Sequence, residues 1–321
     1  MFKFIIKRIL VAIPLLLGIS LLTFILIQAT PGNYFDTLKL NPQVSPETIA
    51  RYQNLYHLDK PLMQQYFYWL GNLLRLDLGY SFFYNCPVSK VIAGRLFNTF
   101  ILSLAVLILT WSVAIPLGIW AAVRRNHFVD RILSFCSFAG LSIPSFFLAM
   151  ILLFAASHFQ ILPLGGMRSA NFDDLNTAEK IIDILRHLAI PAIVISLGSI
   201  AGLQRLMRGN MLEVLRQQYI LAARAKGLPE HRVIYRHALR NAVNPLVTIF
   251  GYHFSELLSG AALIEIICNW PGLGSVMLTA VRAKDVYLVM ASMLMGGVLL
   301  LLGNLLADIL LAWVDPRIRY E

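Results

Sequence analysis

Apolar and polar positions in this chain segregate into long blocks and do not alternate with the short periods of a soluble fold. Six blocks are apolar over roughly the 20 residues that a helix needs to cross a hydrocarbon layer. They run over 9–29, 98–123, 132–157, 187–207, 245–268 and 287–313. The pattern predicts an all-α membrane protein with six transmembrane helices. The segment 30–97 is too long for a turn, and amphipathic stretches within it such as "LMQQYFYWLGNLL" predict short helices lying at the membrane surface. Residues 158–186 form a second polar connection. Residues 269–286 form a third, in which Gly272 and Gly274 after Pro271 predict a tight re-entry and Trp270 is expected in the interfacial aromatic belt. Residues 1–97 therefore group as a first helix with a large loop, and 98–321 as a five-helix core carrying the loop 205–244. The first block follows Lys3, Lys7 and Arg8, as a signal peptide would. Its apolar run is long for that role and no A-x-A site closes it, which favours a retained helix.

Composition agrees with the blocks. The chain is 58% hydrophobic and 14% charged, whereas a soluble domain averages about 45–50% apolar and about 25% charged. The net charge of +10 sits in the segments between blocks. Three basic residues precede the first block, Arg124, Arg125 and Arg131 follow the second, and Arg317 and Arg319 follow the last. The 205–244 loop holds Arg205, Arg208, Arg216, Arg224, Lys226, Arg232, Arg236 and Arg240. With six spans all of these fall on one side, and Asp173, Asp174, Glu179 and Asp183 fall on the other, so both termini are expected in the cytoplasm. The basic residues do not interleave with stacking aromatics, which argues against nucleic acid. Cys86, Cys136 and Cys268 form no CxxC pair; one bridge, Cys86 to Cys268, stays open if both lie on one side.

The chain carries none of the common catalytic constellations. It has no GxxxxGK[ST], no HExxH and no GxSxG, and His127, His158, His187 and His253 are not spaced as metal ligands. No catalytic residue, metal site or bound cofactor is expected. Any uphill movement would draw its energy from a partner or an ion gradient.

The densest polar chemistry lies in the 205–244 loop. Gln217–Lys226 reads as a helix on which Tyr219, Ala222, Ala223 and Lys226 are neighbours, with Ala222, Ala223 and Ala225 keeping one face low. Gly227 suits a left-handed residue just past the helix end, and Pro229 suits the first turn of another helix. That second helix is expected to run to about Val243, with Arg232, Arg236 and Arg240 along one edge, until Asn244-Pro245 breaks it. The plain reading is a basic loop that only sets topology; the sharper one is a docking knob for a cytoplasmic protein.

"AARAKG" (222–227) followed by "RHALRNAVNP" (236–245) resembles the cytoplasmic loop of binding-protein-dependent ABC importer permeases of the dipeptide/oligopeptide/nickel branch. The wider importer pattern begins Glu-Ala-Ala and places Gly after three more residues. Ala222, Ala223 and Gly227 match it, while Leu221 stands in the Glu position, and His237 and Arg240 replace the usual Ile and Pro. The likeness continues in "HLDKPLMQQYFYWL" (57–70), "LDLGYS" (76–81) with Pro87-Val88, "SIPSFF" (142–147), "NWPGLG" (269–274) and "DPRIR" (315–319). The resemblance implies the type I importer permease fold in a bacterial inner membrane. It implies a second, similar permease as partner, two ATPase subunits that hold ATP and Mg, and an extracytoplasmic solute-binding protein. Tyr219, Ala222, Ala223, Ala225, Lys226 and Gly227 would then belong to the helix that couples to the ATPase. Short peptides are the expected cargo, with nickel or glutathione as alternatives that share the permease pattern.

Other residues are singled out by position. Pro144, within the third block after Gly140 and Ser142, is expected to kink that span, either as ordinary packing or as a gate hinge. Glu256, Glu265 and Asp308 lie in apolar runs, where a charge costs roughly 2.5–3.5 kcal/mol on insertion scales and must face protein or water. Glu265 and Asp308 fit structural pairing. Glu256, three residues after His253, is nearest the midplane and is weighed as a pathway residue against an interhelical hydrogen bond. An ion-coupled secondary transporter is the rival class. Three separated acids and no paired repeat argue against it.

Overall fold

The computed structural model describes residues 2–39, 45–246, 249–250 and 262–314. His253, Glu256 and the centre of the fifth expected span lie outside the described residues. The described chain is mostly helical, as the blocks predict. Helix α1 is Phe2–Ala29, α2 is Tyr34–Lys39, α3 is Pro46–Leu55 and α4 is Leu62–Leu73. A two-stranded antiparallel hairpin follows, with β1 Tyr80–Ser81 paired to β2 Cys86–Pro87. Then come α5 Val88–Val123, α6 Phe128–Ser142, α7 Ser145–Phe159 and α8 Thr177–Val214. Among the described residues α1, α5, α8 and the last helix are long and apolar enough to cross a membrane, and α6 with α7 makes a fifth span if the bent pair is counted as one.

Two features depart from the block pattern for physical reasons. The third block is not one kinked helix. It breaks into α6 and α7, bent by 100°. Ile143 takes an extended conformation (φ −86°, ψ 121°) and Pro144 caps α7, because the proline ring disfavours helical backbone in the residue before it. Helices α5 and α8 also run well past their apolar blocks, with 36 and 38 residues. Asn176 and Glu179 close a reciprocal capping box at the start of α8, and this sets its first residue well outside the apolar run.

The described residues gather into two compact units. The first holds residues 1–99 and 271–301. It contains α12, Leu273–Ala283, and the larger part of the last helix, α13, Val286–Val314. The short helices expected in 30–97 are present as α2, α3 and α4, joined by the hairpin that the hydropathy pattern did not foresee. Phe24, Tyr66, Trp69, Met290 and Leu294 make one of its cores. Ser20 and Tyr66 share a buried hydrogen bond of 2.9 Å. Asp285 is fully buried and accepts from Ser81 Oγ (2.7 Å) and the Phe83 amide (3.1 Å), which pins the hairpin turn. Thr99 Oγ1 accepts from the Leu273 amide at 2.8 Å at the start of α12.

The second unit holds residues 100–270 and 302–321. Around α8 are packed α6 and α7, together with α11, Ala262–Ile267. Ala149, Ala156, Ile190, Val194, Ile264 and Cys268 form one of its cores. Trp270 is fully buried against Leu102, Val106, Met167, Leu188 and Ala192. Glu265 is likewise buried on α11. All three cysteines are free thiols, so the Cys86–Cys268 bridge left open by the sequence is not formed.

Candidate functional site

The basic loop is a packed corner built on the end of α8. Helix α9, Gln218–Ala225, occupies the position expected from Gln217–Lys226. Lys226 ends it, and Gly227 takes the left-handed conformation at φ +76°. The Gly227 amide donates to the Arg224 carbonyl (2.9 Å) and the Leu228 amide to the Ala223 carbonyl (3.3 Å). These two bonds define a Schellman ending, in which a left-handed residue just past the helix satisfies carbonyls that the last turn leaves open. Pro229 then caps a second helical segment. It starts at Glu230–Arg232, widens to π geometry over Val233–Ala238 and closes at Leu239–Ala242; we call it α10.

Side chains lock the corner further. Arg224 spans the turn to Glu230 with two hydrogen bonds, Nε to Oε2 at 3.1 Å and Nη2 to Oε1 at 2.5 Å. These hydrogen bonds hold the Glu230 carboxyl below its ordinary range and raise the Arg224 guanidinium above its own. Asn241 Nδ2 donates to the Tyr219 hydroxyl at 2.7 Å, tying the start of α9 to the end of α10. Asn210 Nδ2 donates to the Ala242 carbonyl at 3.3 Å, tying α10 to α8. Beneath these contacts lies one apolar core. Met207 and Met211 come from α8, Ile220 and Ala223 from α9, Val233, Ala238 and Ala242 from α10, and Ala114, Ile119 and Ala122 from α5.

The small-residue face expected on α9 is split. Ala223 points into this core, whereas Ala222 and Ala225 are exposed with Tyr219, Leu221 and Lys226. The helical period forces the division, because a residue beside a core position on so short a helix is rotated about 100° away from it. The exposed side therefore carries Tyr219 and Leu221 together with the two alanines, and Tyr235 of α10 is exposed as well.

Behind the corner, α6 and α8 are joined along their length by contacts that sequence reasoning missed. Asp130, buried in the first turn of α6, accepts from Arg208 Nε at 2.6 Å and Nη2 at 2.8 Å. Two turns further along α6, Ser137 Oγ donates to Gln204 Oε1 at 2.7 Å. Gly118 of α5 lies so close to α8 that a Cβ there would meet the Gln204 carbonyl oxygen at 2.8 Å. The partners are 78 and 67 residues apart in sequence, so no local spacing marks them. Pro144 falls at the α6–α7 break, away from these contacts in the chain, and nothing described brings it to the corner. Among the described residues no group of three or more His, Cys, Asp or Glu is arranged to hold a metal ion.

The described chain is thus helical, with long apolar helices and a packed corner at the end of its longest one, and comparison with known proteins gives its class. Residues 114–320 match the family described as binding-protein-dependent transport system inner membrane component, and residues 1–105 match the family described as the N-terminal part of the membrane component of such systems. The chain belongs to this family of inner-membrane permeases. It is 41% identical over 321 residues, covering all of both chains, to the oligopeptide transport system permease protein AppB of Bacillus subtilis. It is 36% identical over 338 residues, again covering both chains fully, to the dipeptide transport system permease protein DppB of Escherichia coli. A peptide permease protein of Brucella suis, named as putative, is 38% identical over 324 residues and 99% of each chain.

Proposed function

We propose that this chain forms half of the translocation pathway of an ATP-driven importer of short peptides. Six helices would cross the membrane with both termini in the cytoplasm, the fifth passing through 245–268. A second, similar permease would complete the pathway, a solute-binding protein would deliver cargo from outside, and two ATPase subunits would hold ATP and Mg. This chain itself would bind no cofactor. Full-length similarity to permeases named for oligopeptides and dipeptides supports the cargo.

The observation that carries the mechanism is the α9 corner. A short helix is clamped at both ends, with Tyr219, Leu221, Ala222, Ala225 and Lys226 exposed, and is rooted in the core that holds α8. Such a helix moves as one piece with α8. An ATPase gripping Tyr219, Ala222, Ala225 and Lys226 would bias the inward- and outward-facing states as its own conformation changes with nucleotide. Ala223 would contribute from inside, by seating the helix, and Gly227 by ending it. The test is uptake of a labelled tripeptide in cells lacking this chain and in the same cells supplied with it, together with co-purification of the ATPase subunits. Uptake and co-purification should both depend on the chain. Tripeptide uptake that is unchanged in its absence refutes the reading.

A further inference from the structure

The first unit contains a cleft of about 390 Å³ that the α9 corner does not explain. Its walls include Tyr56, His57, Tyr68, Tyr80, Tyr287 and the carboxylate of Asp77. Asp77 is the one acid among the lining residues, and no lysine or arginine is among them. Two of the phenol hydroxyls are already committed. Tyr80 donates to Asn85 Oδ1 at 2.6 Å and Tyr287 donates to the Tyr56 carbonyl at 2.6 Å. These bonds fix the rings in place and leave their faces as what those two side chains offer. The Tyr56 ring stacks on Tyr80 with centroids 5.5 Å apart, and His57 stacks on Tyr68 at 4.3 Å. His57 does so from a left-handed backbone (φ +56°). The Asp77 carboxylate accepts from the Gly79 amide at 2.9 Å, so it is oriented as well. Burial first, and the Asp77 charge among the further causes, raises the Tyr56 phenol above its ordinary range, which agrees with a carboxylate close to that ring.

Aromatic faces and a single carboxylate in a concave site make a receptor for a cation. The ring quadrupole attracts an ammonium group, and the carboxylate supplies the opposite charge. Asp77 carries the one permanent charge in the lining, and His57, the one side chain there that can gain positive charge, is stacked on Tyr68. The volume lies within the roughly 300–1,000 Å³ of small-molecule sites and accommodates a short peptide end. We propose that this cleft receives the free ammonium group of a transported solute, with Asp77 holding the charge and the faces of Tyr56, Tyr68, Tyr80 and Tyr287 enclosing it. This deepens the reading of the chain as a peptide permease and rests on it.

The test uses the full-length chain in lipid nanodiscs, with trialanine and N-acetyl-trialanine as probes and calorimetry as the readout. Acetylation replaces the ammonium group by a neutral amide and adds an acetyl group, so the Asp77→Asn chain is the control for the added bulk. The wild-type chain should bind trialanine at least about tenfold more tightly than the acetylated form, which is a difference of about 1.4 kcal/mol. Asp77→Asn keeps an oxygen for the Gly79 amide while removing the charge, and should erase that preference. Tyr68→Leu should weaken trialanine about two- to thirtyfold, the span of cation–π contacts from exposed to desolvated sites. The idea is overturned if trialanine shows no saturable binding, or if the preference survives in Asp77→Asn. Cellular uptake separates the two levels of the argument. If trialanine uptake requires the chain yet Asp77→Asn leaves the binding preference intact, the cleft assignment fails and the permease reading stands. If uptake does not require the chain at all, the permease reading is what fails.

Discussion

Gly227 offers the most discriminating perturbation of the corner, because the space around it and its backbone make separable demands. A Cβ added at Gly227 meets nothing within 4 Å, so a larger side chain is not excluded by its neighbours. The cost lies in φ +76°, which a residue with a side chain adopts at about 1–2 kcal/mol. Asparagine tolerates this region well, alanine pays the ordinary amount and a β-branched valine more than either. If the turn leaves the left-handed region, the amides of Gly227 and Leu228 lose their Schellman partners, worth about 0.5–1.5 kcal/mol each, and Arg224 is carried away from Glu230. The chain takes the cheaper of the two routes, so Gly227→Val stands to lose at least about 1–2 kcal/mol of local order, a factor of about five to thirty in the fraction of properly formed corners. The core of Met207, Met211 and Ile220 remains, so insertion in the membrane should be normal. The assay is ATPase co-purification and tripeptide uptake, each normalised to inserted chain, for Gly227→Asn, Gly227→Ala and Gly227→Val. Activity should fall in that order. Wild-type activity in Gly227→Val would refute the role of the turn. A worse result for asparagine than for valine would refute the backbone argument and point instead to contact between the side chain and a partner.

Three further outcomes follow from other contacts. Asp130→Asn leaves Arg208 partly buried without its counter-charge and should lower the thermal stability of the purified chain by about 2–4 kcal/mol, with partial recovery in Asp130→Leu/Arg208→Leu; an unchanged melting midpoint in the single variant contradicts this. The Glu230 carboxyl is held low in the folded state, so its contribution is present above the unfolded pKa of about 4.3 and is lost as pH falls through the lower folded value. Because the pair is largely exposed the effect should stay under about 1 kcal/mol, seen as a small acid-side loss of stability in wild type that Glu230→Gln abolishes. In a background without native cysteines, Asp173→Cys should react with an impermeant thiol reagent added outside and Glu230→Cys only after the membrane is opened; reversed labelling would overturn the proposed orientation.

Much of this arrangement was legible because it rests on properties of single residues or of long averages. Apolar blocks located the long helices, and Gly227 announced its own backbone conformation because other residues avoid it. The failures also have causes. Hydropathy reports the slab of hydrocarbon, not the helix passing through it, so the polar ends of α5 and α8 were assigned to loops although Lys90, Arg95, Arg186 and Arg205 all lie in helix. Pro144 was expected to kink a span because proline removes one hydrogen bond, but the constraint it places on Ile143 proved the stronger effect and divided the helix. Hydropathy gave no sign that Trp270 packs inside the protein against Leu102, Met167 and Leu188, because those partners are distant in sequence. The pairs Arg224–Glu230 and Asp130–Arg208 follow no helical spacing, since one crosses a turn and the other joins two helices.

The length of α8 connects these details to the proposed coupling. At about 1.5 Å per residue its 38 residues extend about 57 Å, against about 30 Å of hydrocarbon. That exceeds the hydrocarbon layer even with Pro191 inside the helix, and its polar C-terminal turns, from Arg205 onward, lead through residues 215–217 into α9. The corner is thus the end of a rod. Along that rod Gln204 and Arg208 are bonded to α6, and Met207 and Met211 are packed in the core shared with α5, α9 and α10. Displacing α9 without displacing α8 would break the apolar core beneath Ile220 and Ala223, whereas moving α5, α6, α8 and the corner together breaks none of these contacts. The cheaper motion is the concerted one. On this argument a force applied at Tyr219 and Lys226 reaches the bend at Pro144 through two buried polar contacts, and weakening Asp130–Arg208 should impair uptake even where ATPase subunits still bind. Normal uptake in an Asp130→Asn chain that remains folded and assembled would show that the force travels by another route.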